Sequence, residues 1–316
     1  YNPGEPSTSG ATSLLYPFLL ALGALAGLRD LSLGTWAMII GGIAFALSIF
    51  LIYRTARLYA SFEAALGATL AFGLSGLFAW HAMSGMETIL ATCFALALLY
   101  GVASDDARWV IWSAVLLAIT RPEGAVGALL ASGWLAWRWW RERKAAGRNA
   151  GKARLAPTVV LLPLLAIGVQ PLVNLVVTGS MSATGGQAKS LLSAIAPMDV
   201  IVERIIGNFA RMGCEWLLPD ARYGVFVIPA LAIVAVIAMT WRGWAAERRT
   251  GHALSLHELH GDADGKNAVP TFAVGLFVVV WLLGTAALIS TLDTAFWHFR
   301  RYQIPMLALL FPLAAW

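Results

Sequence analysis

The feature that most constrains this chain is a series of apolar runs, several of them near 20 residues long, separated by short polar turns. The runs fall at 11–28, 34–53, 62–83, 86–103, 109–120, 124–140, 156–177, 223–241, 270–292 and 304–316. About 20 apolar residues in helical form cover the roughly 30 Å of hydrocarbon in a bilayer, so runs of this length belong to a membrane class. Leu, Ala, Val, Ile and Gly follow one another without alternation. That pattern favours helices over barrel strands. Charged residues make up 12% of the chain, about half the ~25% usual in soluble domains. The expected fold class is all-α, a polytopic transmembrane helical bundle with about nine spans from residue 34 onward.

The basic loops set the expected orientation. Residues 138–155 carry Arg138, Arg141, Arg143, Lys144, Arg148, Lys152 and Arg154, and residues 242–268 carry Arg242, Arg248, Arg249 and Lys266. Together with the turns holding Arg54, Arg57 and Arg108, these loops contain 14 of the 22 Lys and Arg residues. Cytoplasmic loops concentrate Lys and Arg, so these four loops are placed inside. One alternating topology then satisfies every loop from residue 34 on, and 178–222 becomes a long outer loop. The net charge of +5 lies in these loops, so no nucleic-acid partner is expected. Run 11–28 is either a span or an interfacial helix in an outer loop. Neither end of the chain looks like the end of a protein: 1–10 is a polar loop without Met, and 304–316 stops within an apolar run. The chain is therefore expected to be a piece of a longer one.

Run 109–120 is too short to cross. Its 12 residues would rise only about 18 Å. Arg121-Pro122-Glu123-Gly124 should accordingly lie submerged near the outer leaflet, where charge is tolerated only beside a cavity or a partner. Arg121 could bind an anionic group such as phosphate while Glu123 orients it. Equally, the two could form a structural ion pair closing a helix hairpin at Pro122. Glu87 opens a helix on the same outer side. The plain reading is a capping box with Ser84, and the functional one is a place in the same site. Asp293, Trp297, His298, Arg300, Arg301 and Tyr302 are expected in a short outer loop. Adjacent outer arginines run against the positive-inside bias, so either an anionic ligand or lipid headgroups should meet them. In the long outer loop, 197–209 has the pattern of an amphipathic surface helix, and Lys189 is a solvated lysine or a phosphate ligand.

Other chemistry is not signalled. His252, His257, His260, Asp262 and Asp264 fit no zinc spacing. Phosphate-binding and nucleotide-binding glycine loops are not present, and neither is a serine nucleophile elbow. Two cysteines, Cys93 in an apolar run and Cys214 in a loop, suggest no disulfide framework.

Five stretches resemble the GT-C superfamily of membrane glycosyltransferases, which use polyprenyl-phosphate sugars. Terminal arabinofuranosyltransferases of actinobacteria and related uncharacterised bacterial proteins are the nearest in kind. Tyr1-Asn2-Pro3-Gly4-Glu5 with Ser7-Thr8-Ser9 resembles the family's first outer loop. Ser84-Gly85-Met86-Glu87-Thr88 resembles its Ser-Gly-x-Glu element, and Arg121-Pro122-Glu123 its Arg-Pro-Glu element. Asn174, Gly179, Thr184 and Lys189 resemble a spaced pattern opening a later outer loop. His298 through Arg301-Tyr302, with Pro305, resembles a His…Arg…Pro element.

The resemblance implies an interfacial helix at 11–28, so that 1–33 is an outer-face loop and 34–316 the transmembrane domain. It implies a bacterial cell-membrane protein whose site faces the extracytoplasmic side. There it would move a sugar from a polyprenyl-phosphate donor to a glycan, lipid or protein acceptor of the cell envelope, in contact with membrane lipids. Arg121, Glu123, Glu87, Lys189, His298, Arg300, Arg301 and Tyr302 are the expected donor-phosphate and substrate residues. The family's catalytic acid sits earlier in the first outer loop, upstream of residue 1, and a divalent metal, if one is used, would involve that acid. Other classes considered are a transporter or flippase and a non-catalytic membrane subunit. Transporters place ionisable groups in mid-span, whereas runs 34–53, 156–177 and 223–241 carry none.

Overall fold

The computed structural model describes residues 13–146, 157–183, 190–217, 269, 271–292 and 295–316. Among them the regular structure is helical, with one isolated antiparallel bridge between Ser190 and Leu292. The first helix, α1 (Leu15–Leu25), has 11 residues, rises only about 16 Å and stops at Gly27, whose φ of 89° reverses the chain. Its partner α2 (Asp30–Ala56) is 27 residues long, about 40 Å. The start of α2 is closed by Ser32, whose hydroxyl accepts from the Arg29 N–H at 2.8 Å. Trp36 of α2 donates its indole N–H to the Leu19 carbonyl at 2.9 Å, which ties α1 back across α2.

Run 62–83, expected to be one span, is broken. It forms α3 (Phe62–Gly73) and α4 (Gly76–Met83), bent by 52°. Gly73 and Gly76 flank the break, where helix propensity is low. The bend lets α4 lie directly on α2: a Cβ at Gly41 would penetrate the Ala82 carbonyl oxygen. Both contact atoms belong to backbones, so no side chain can yield. The change Gly41→Ala is expected to lower stability by about 1–3 kcal/mol, read as a fall in thermal midpoint in detergent, and an unchanged midpoint would show that α4 does not rest there.

The next two helices form a tight hairpin, α5 (Thr88–Ala103) and α6 (Ala107–Thr120). Asp105 takes a left-handed φ of 53° in the turn, and the Asp106 carboxylate caps α6 by accepting from the Arg108 N–H at 2.9 Å. Nearly all of α5 is buried, because α2, α6 and the last helix surround it. That position explains its lack of a polar face. The following helix, α7 (Gly124–Ala146), carries the first part of the basic segment 138–155 as helix rather than as loop. A short 3₁₀ turn (Pro157–Leu161) leads into α8 (Leu162–Thr178), which ends on left-handed Gly179 at φ 75°.

The amphipathic stretch forms α9 (Met198–Leu217), longer than the expected 197–209. It buries Ile201 and Met212 and exposes Val202, Ile206 and Phe209. Asn208 of α9 donates to the carbonyls of Ser290 (3.1 Å) and Leu292 (3.2 Å). Those carbonyls lie at and just beyond the end of α10 (Thr271–Ser290), so α9 serves as a C-terminal cap. The last helix is α11 (Ala295–Ala314). It takes in residues expected as an outer loop, so 298–302 lie in its first turns. Phe311 of α11 packs edge-on against Phe72 and Phe78, with ring centroids at 5.4 and 5.5 Å. At the opposite end of the bundle the Tyr59 hydroxyl lies 3.0 Å from the Ala103 carbonyl and 2.7 Å from that of Val269.

Among the described residues three helices are long and apolar enough to cross a membrane: Asp30–Ala56, Thr158–Thr178 and Phe272–Ser290. The bent pair α3–α4 would make a fourth. Nine spans are thus not found. Run 223–241 and the loop 242–268 lie outside the described residues. Helices α5 and α6, with 16 and 14 residues, are shortened by their turn, while α7 and α11 extend the apolar runs with charged turns. The class established here is an all-helical chain with membrane-spanning character.

Candidate functional site

The site is built where α6 ends. The Arg121 N–H still reaches the Leu117 carbonyl (3.1 Å), but its own backbone is extended, at φ −148° and ψ 143°. Pro122 causes this, since the residue before a proline is pushed out of the helical region. Gly124 then donates to the Arg121 carbonyl at 2.9 Å and starts α7. A Cβ on Gly124 would collide with the Leu117 carbonyl oxygen. The glycine is therefore required by close backbone approach between α6 and α7, and not merely by a turn.

This hairpin buries Arg121 to 4% exposure. Its Nη2 donates to Glu123 Oε1 at 2.7 Å and its Nε to Glu123 Oε2 at 3.3 Å, a two-pronged pair. The remaining nitrogen, Nη1, donates to Glu87 Oε1 at 3.4 Å and to the Thr88 hydroxyl at 3.2 Å. The guanidinium lies over the Tyr302 ring, 5.0 Å from its centroid. Of the Arg-Pro-Glu element Arg121 is buried, Glu123 partly buried and Pro122 exposed, and Arg121 has further partners on α5 and α11.

Glu87 does not complete a capping box. The Ser84 hydroxyl donates to the His81 carbonyl instead (2.8 Å), and no side chain caps α5. Left-handed Gly85 (φ 67°) turns the chain, and Glu87 goes to the arginines. A buried guanidinium offers the carboxylate a full opposite charge as well as a hydrogen bond, whereas a backbone N–H offers only the bond. Arg301 approaches the same Glu87 oxygen at 3.9 Å, with its guanidinium 5.5 Å from the Tyr302 centroid. Arg301 is 24% exposed, and its Nε has no hydrogen-bond partner.

Three residues join the site without having been expected there. Thr88 is one, and its signal was its place beside Glu87. Tyr16 arrives because α1 folds back onto α6, with the Leu14 N–H donating to the Ile119 carbonyl at 3.1 Å. Burial, and then the Glu87 charge, hold its phenol above the usual range. His81 of α4 lies within electrostatic range of both Arg121 and Arg301. The hydroxyl of Tyr16 and the Nδ1 of His81 are buried without hydrogen-bond partners. Neither residue had a sequence signal, since both reach the site through the packing of their helices.

Other expected residues are placed less fully. His298 and Arg300 lie in the first turns of α11, and their side chains are outside the described residues, as are Lys189, Thr184 and Asp293. The segment with His252, His257 and His260 is outside them too. Among the described residues no group of three or more His, Cys, Asp or Glu side chains is arranged to hold a metal. Asn174 is buried in α8 and lines two adjoining grooves with Gln170. One, of about 280 Å³, runs past Pro122 and Ile167. The other, of about 380 Å³, runs past Pro17 and Phe18 of α1. By contrast, the void between Arg121, Trp281, Tyr302 and Met306 is about 10 Å³, so the inward side of the cluster is packed.

The arrangement divides the labour of the two arginines. Arg121 has its charge taken up by two carboxylates and holds α5, α6 and α11 together. Arg301 sits at the rim, 24% exposed, with its Nε buried and unpartnered. No protein family, curated protein or solved structure matches the chain.

Proposed function

We propose that the chain transfers a sugar from a polyprenyl-phosphate donor to a cell-envelope acceptor at the extracytoplasmic face of a bacterial membrane. In this reading it is a multi-pass GT-C-type protein with α1 lying along the outer interface, and Arg301 receives the donor phosphate. The observation that carries the reading is Arg301 itself, a guanidinium with a 24% exposed side chain, fixed beside a buried Arg121–Glu87–Glu123 cluster. A phosphate leaving group needs such a preplaced cation. Glu87 and Tyr302 set its position, and Arg121 is a positioning residue behind them. His298, Arg300 and Lys189 are assigned to the same donor site on the resemblance alone. Both cluster acids are committed to Arg121, so neither is assigned as the base for the acceptor hydroxyl. The grooves beside Pro122 supply apolar walls for a lipid chain.

Arg301→Gln is expected to cut transfer from a labelled polyprenyl-phosphate sugar by about 10- to 100-fold, the range for a lost charged hydrogen bond. Arg301→Lys should recover part of that loss. Transfer at the wild-type rate by a folded Arg301→Gln protein would refute the assignment.

A second reading has its own support. The formal charges of Arg121, Arg301, Glu87 and Glu123 cancel, and the cluster's inner side is packed. Both facts suit a non-catalytic membrane subunit whose cluster only joins helices. In that case Arg301→Gln would lower the thermal midpoint and change no transfer rate.

A further inference from the structure

The charged end of α7 is unlike any other helix end among the described residues. Four cations each lie over a tryptophan one turn earlier. Arg138 is 5.5 Å from the Trp134 ring centroid, Arg141 4.5 Å from Trp137, Arg143 4.3 Å from Trp139 and Lys144 5.3 Å from Trp140. Residues four apart on a helix are neighbours, so the interleaving of Trp and cations over 134–144 produces these pairs directly.

At 3.6 residues per turn the eight side chains separate into two arcs. Trp134, Arg138 and Arg141 face the α5–α6 turn. There Arg138 lies 3.4 Å from the Asp105 carboxylate and also donates to the Asp105 carbonyl, and Arg141 lies 3.2 Å from the same carboxylate. Arg138 further pairs with Glu142 at 3.1 Å. These two cations are engaged within the protein. Trp137, Trp139, Trp140, Arg143 and Lys144 make up the other arc. Trp137 and Trp140 are 42% and 56% exposed, and Arg143 and Lys144 are exposed as well. Neither of those two cations makes an ion pair among the described residues.

We infer that this outer arc of α7 is a seat for anionic phospholipid headgroups. Two observations commit it to lipid. Exposed indoles are unfavourable in water but suit the headgroup level of a bilayer, where ring and polar tip meet different surroundings. The same end of the bundle carries a second aromatic–cation group: Arg54 of α2 lies 5.7 Å from the rings of Phe50 and Tyr100 and donates to the Tyr100 hydroxyl at 3.0 Å. One band of rings and cations therefore marks that level. The Arg143 guanidinium, stacked on Trp139, is held ready for two-pronged bonding to a phosphodiester. Lys144 adds a second charge one residue on. A zwitterionic headgroup brings its own cation and gains less from the pair.

The seat is separate from the Arg301 site, and its test does not depend on sugar transfer. The full chain is purified in nanodiscs that mix phosphatidylcholine with phosphatidylglycerol, and the lipid retained after detergent extraction is counted by native mass spectrometry. Wild type is expected to retain phosphatidylglycerol well above its share of the bilayer. Arg143→Gln with Lys144→Gln should weaken that preference by about tenfold or more, since each basic residue at a membrane surface contributes about one tenfold step or slightly less. Both changed side chains are exposed and, among the described residues, unpaired with acids, so the fold should be kept. Trp137→Leu with Trp140→Leu should weaken retention of both lipids. Equal retention of the two lipids by wild type, or an unchanged preference in the charge variant, would overturn the inference. Displacement of the lipid by equimolar inorganic phosphate would also overturn it, because a free anion makes no use of the indoles.

Discussion

Replacing Arg121 with methionine is expected to destabilise the protein by about 3–5 kcal/mol, the range for breaking a buried ion pair by removing one partner. The loss comes less from a missing attraction than from what remains. Glu87 and Glu123 would stay in a largely water-free position with like charges and, on Glu123, no cation among the described residues. Thermal or chemical unfolding in detergent measures the effect. Adding Glu87→Gln and Glu123→Gln to the same chain should recover much of the loss, because neutral amides remove the stranded charges. A single variant within about 1 kcal/mol of wild type, the range of an exposed pair, would show that the cluster is solvated. Since Arg121→Met alters stability so strongly, lost transfer in that variant says little about chemistry. Arg301 is the residue on which the donor-site reading stands or falls.

Gly124→Ala is the second large effect. The added methyl has no room against the Leu117 carbonyl, which belongs to the hairpin backbone and cannot swing aside. Overpacking typically costs about 1–3 kcal/mol, and a rigid backbone neighbour puts this case at the upper end. The start of α7 must shift, and Glu123 sits one residue before it. The fork between Arg121 and Glu123 would then loosen even though neither residue is altered. The expected outcome is a thermal midpoint well below wild type together with reduced sugar transfer. A wild-type midpoint would mean that the two helices separate here without cost.

Hydropathy and run length carried part of this structure plainly. Helices α2, α8 and α10 coincide with three apolar runs, since a helix facing lipid needs little beyond length and apolarity. The shortness of run 109–120 was also informative. It suggested that Arg121 and Glu123 are enclosed by protein, and Arg121 is buried and paired with Glu123. What could not be read was mostly contact between distant segments. The partner of Glu87 is 34 residues away in Arg121, and no local pattern prefers it to the Ser84 cap. Tyr16 reaches the site only because α1 packs across the end of α6. The stretch 298–302 looked like a loop because its charges interrupt an apolar run. It forms the first turns of α11, and from there Arg301 approaches Glu87 across the bundle. The α3–α4 bend was missed because composition along the chain stays apolar through Gly73 and Gly76, and two glycines in an apolar run do not by themselves mark a break.

The cancelling charges at the Arg121 cluster bear on how a ligand would arrive. Two guanidiniums and two carboxylates within a few ångströms of one another produce a field that dies away over a distance comparable to their spacing. At physiological ionic strength the surrounding salt screens beyond about 8 Å in any case. A donor phosphate bound at Arg301, as proposed, would therefore not be funnelled towards these four groups from afar, as it would be by a stripe of like charges, and discrimination would begin only on contact. A cluster of this kind selects by residence time rather than by capture rate.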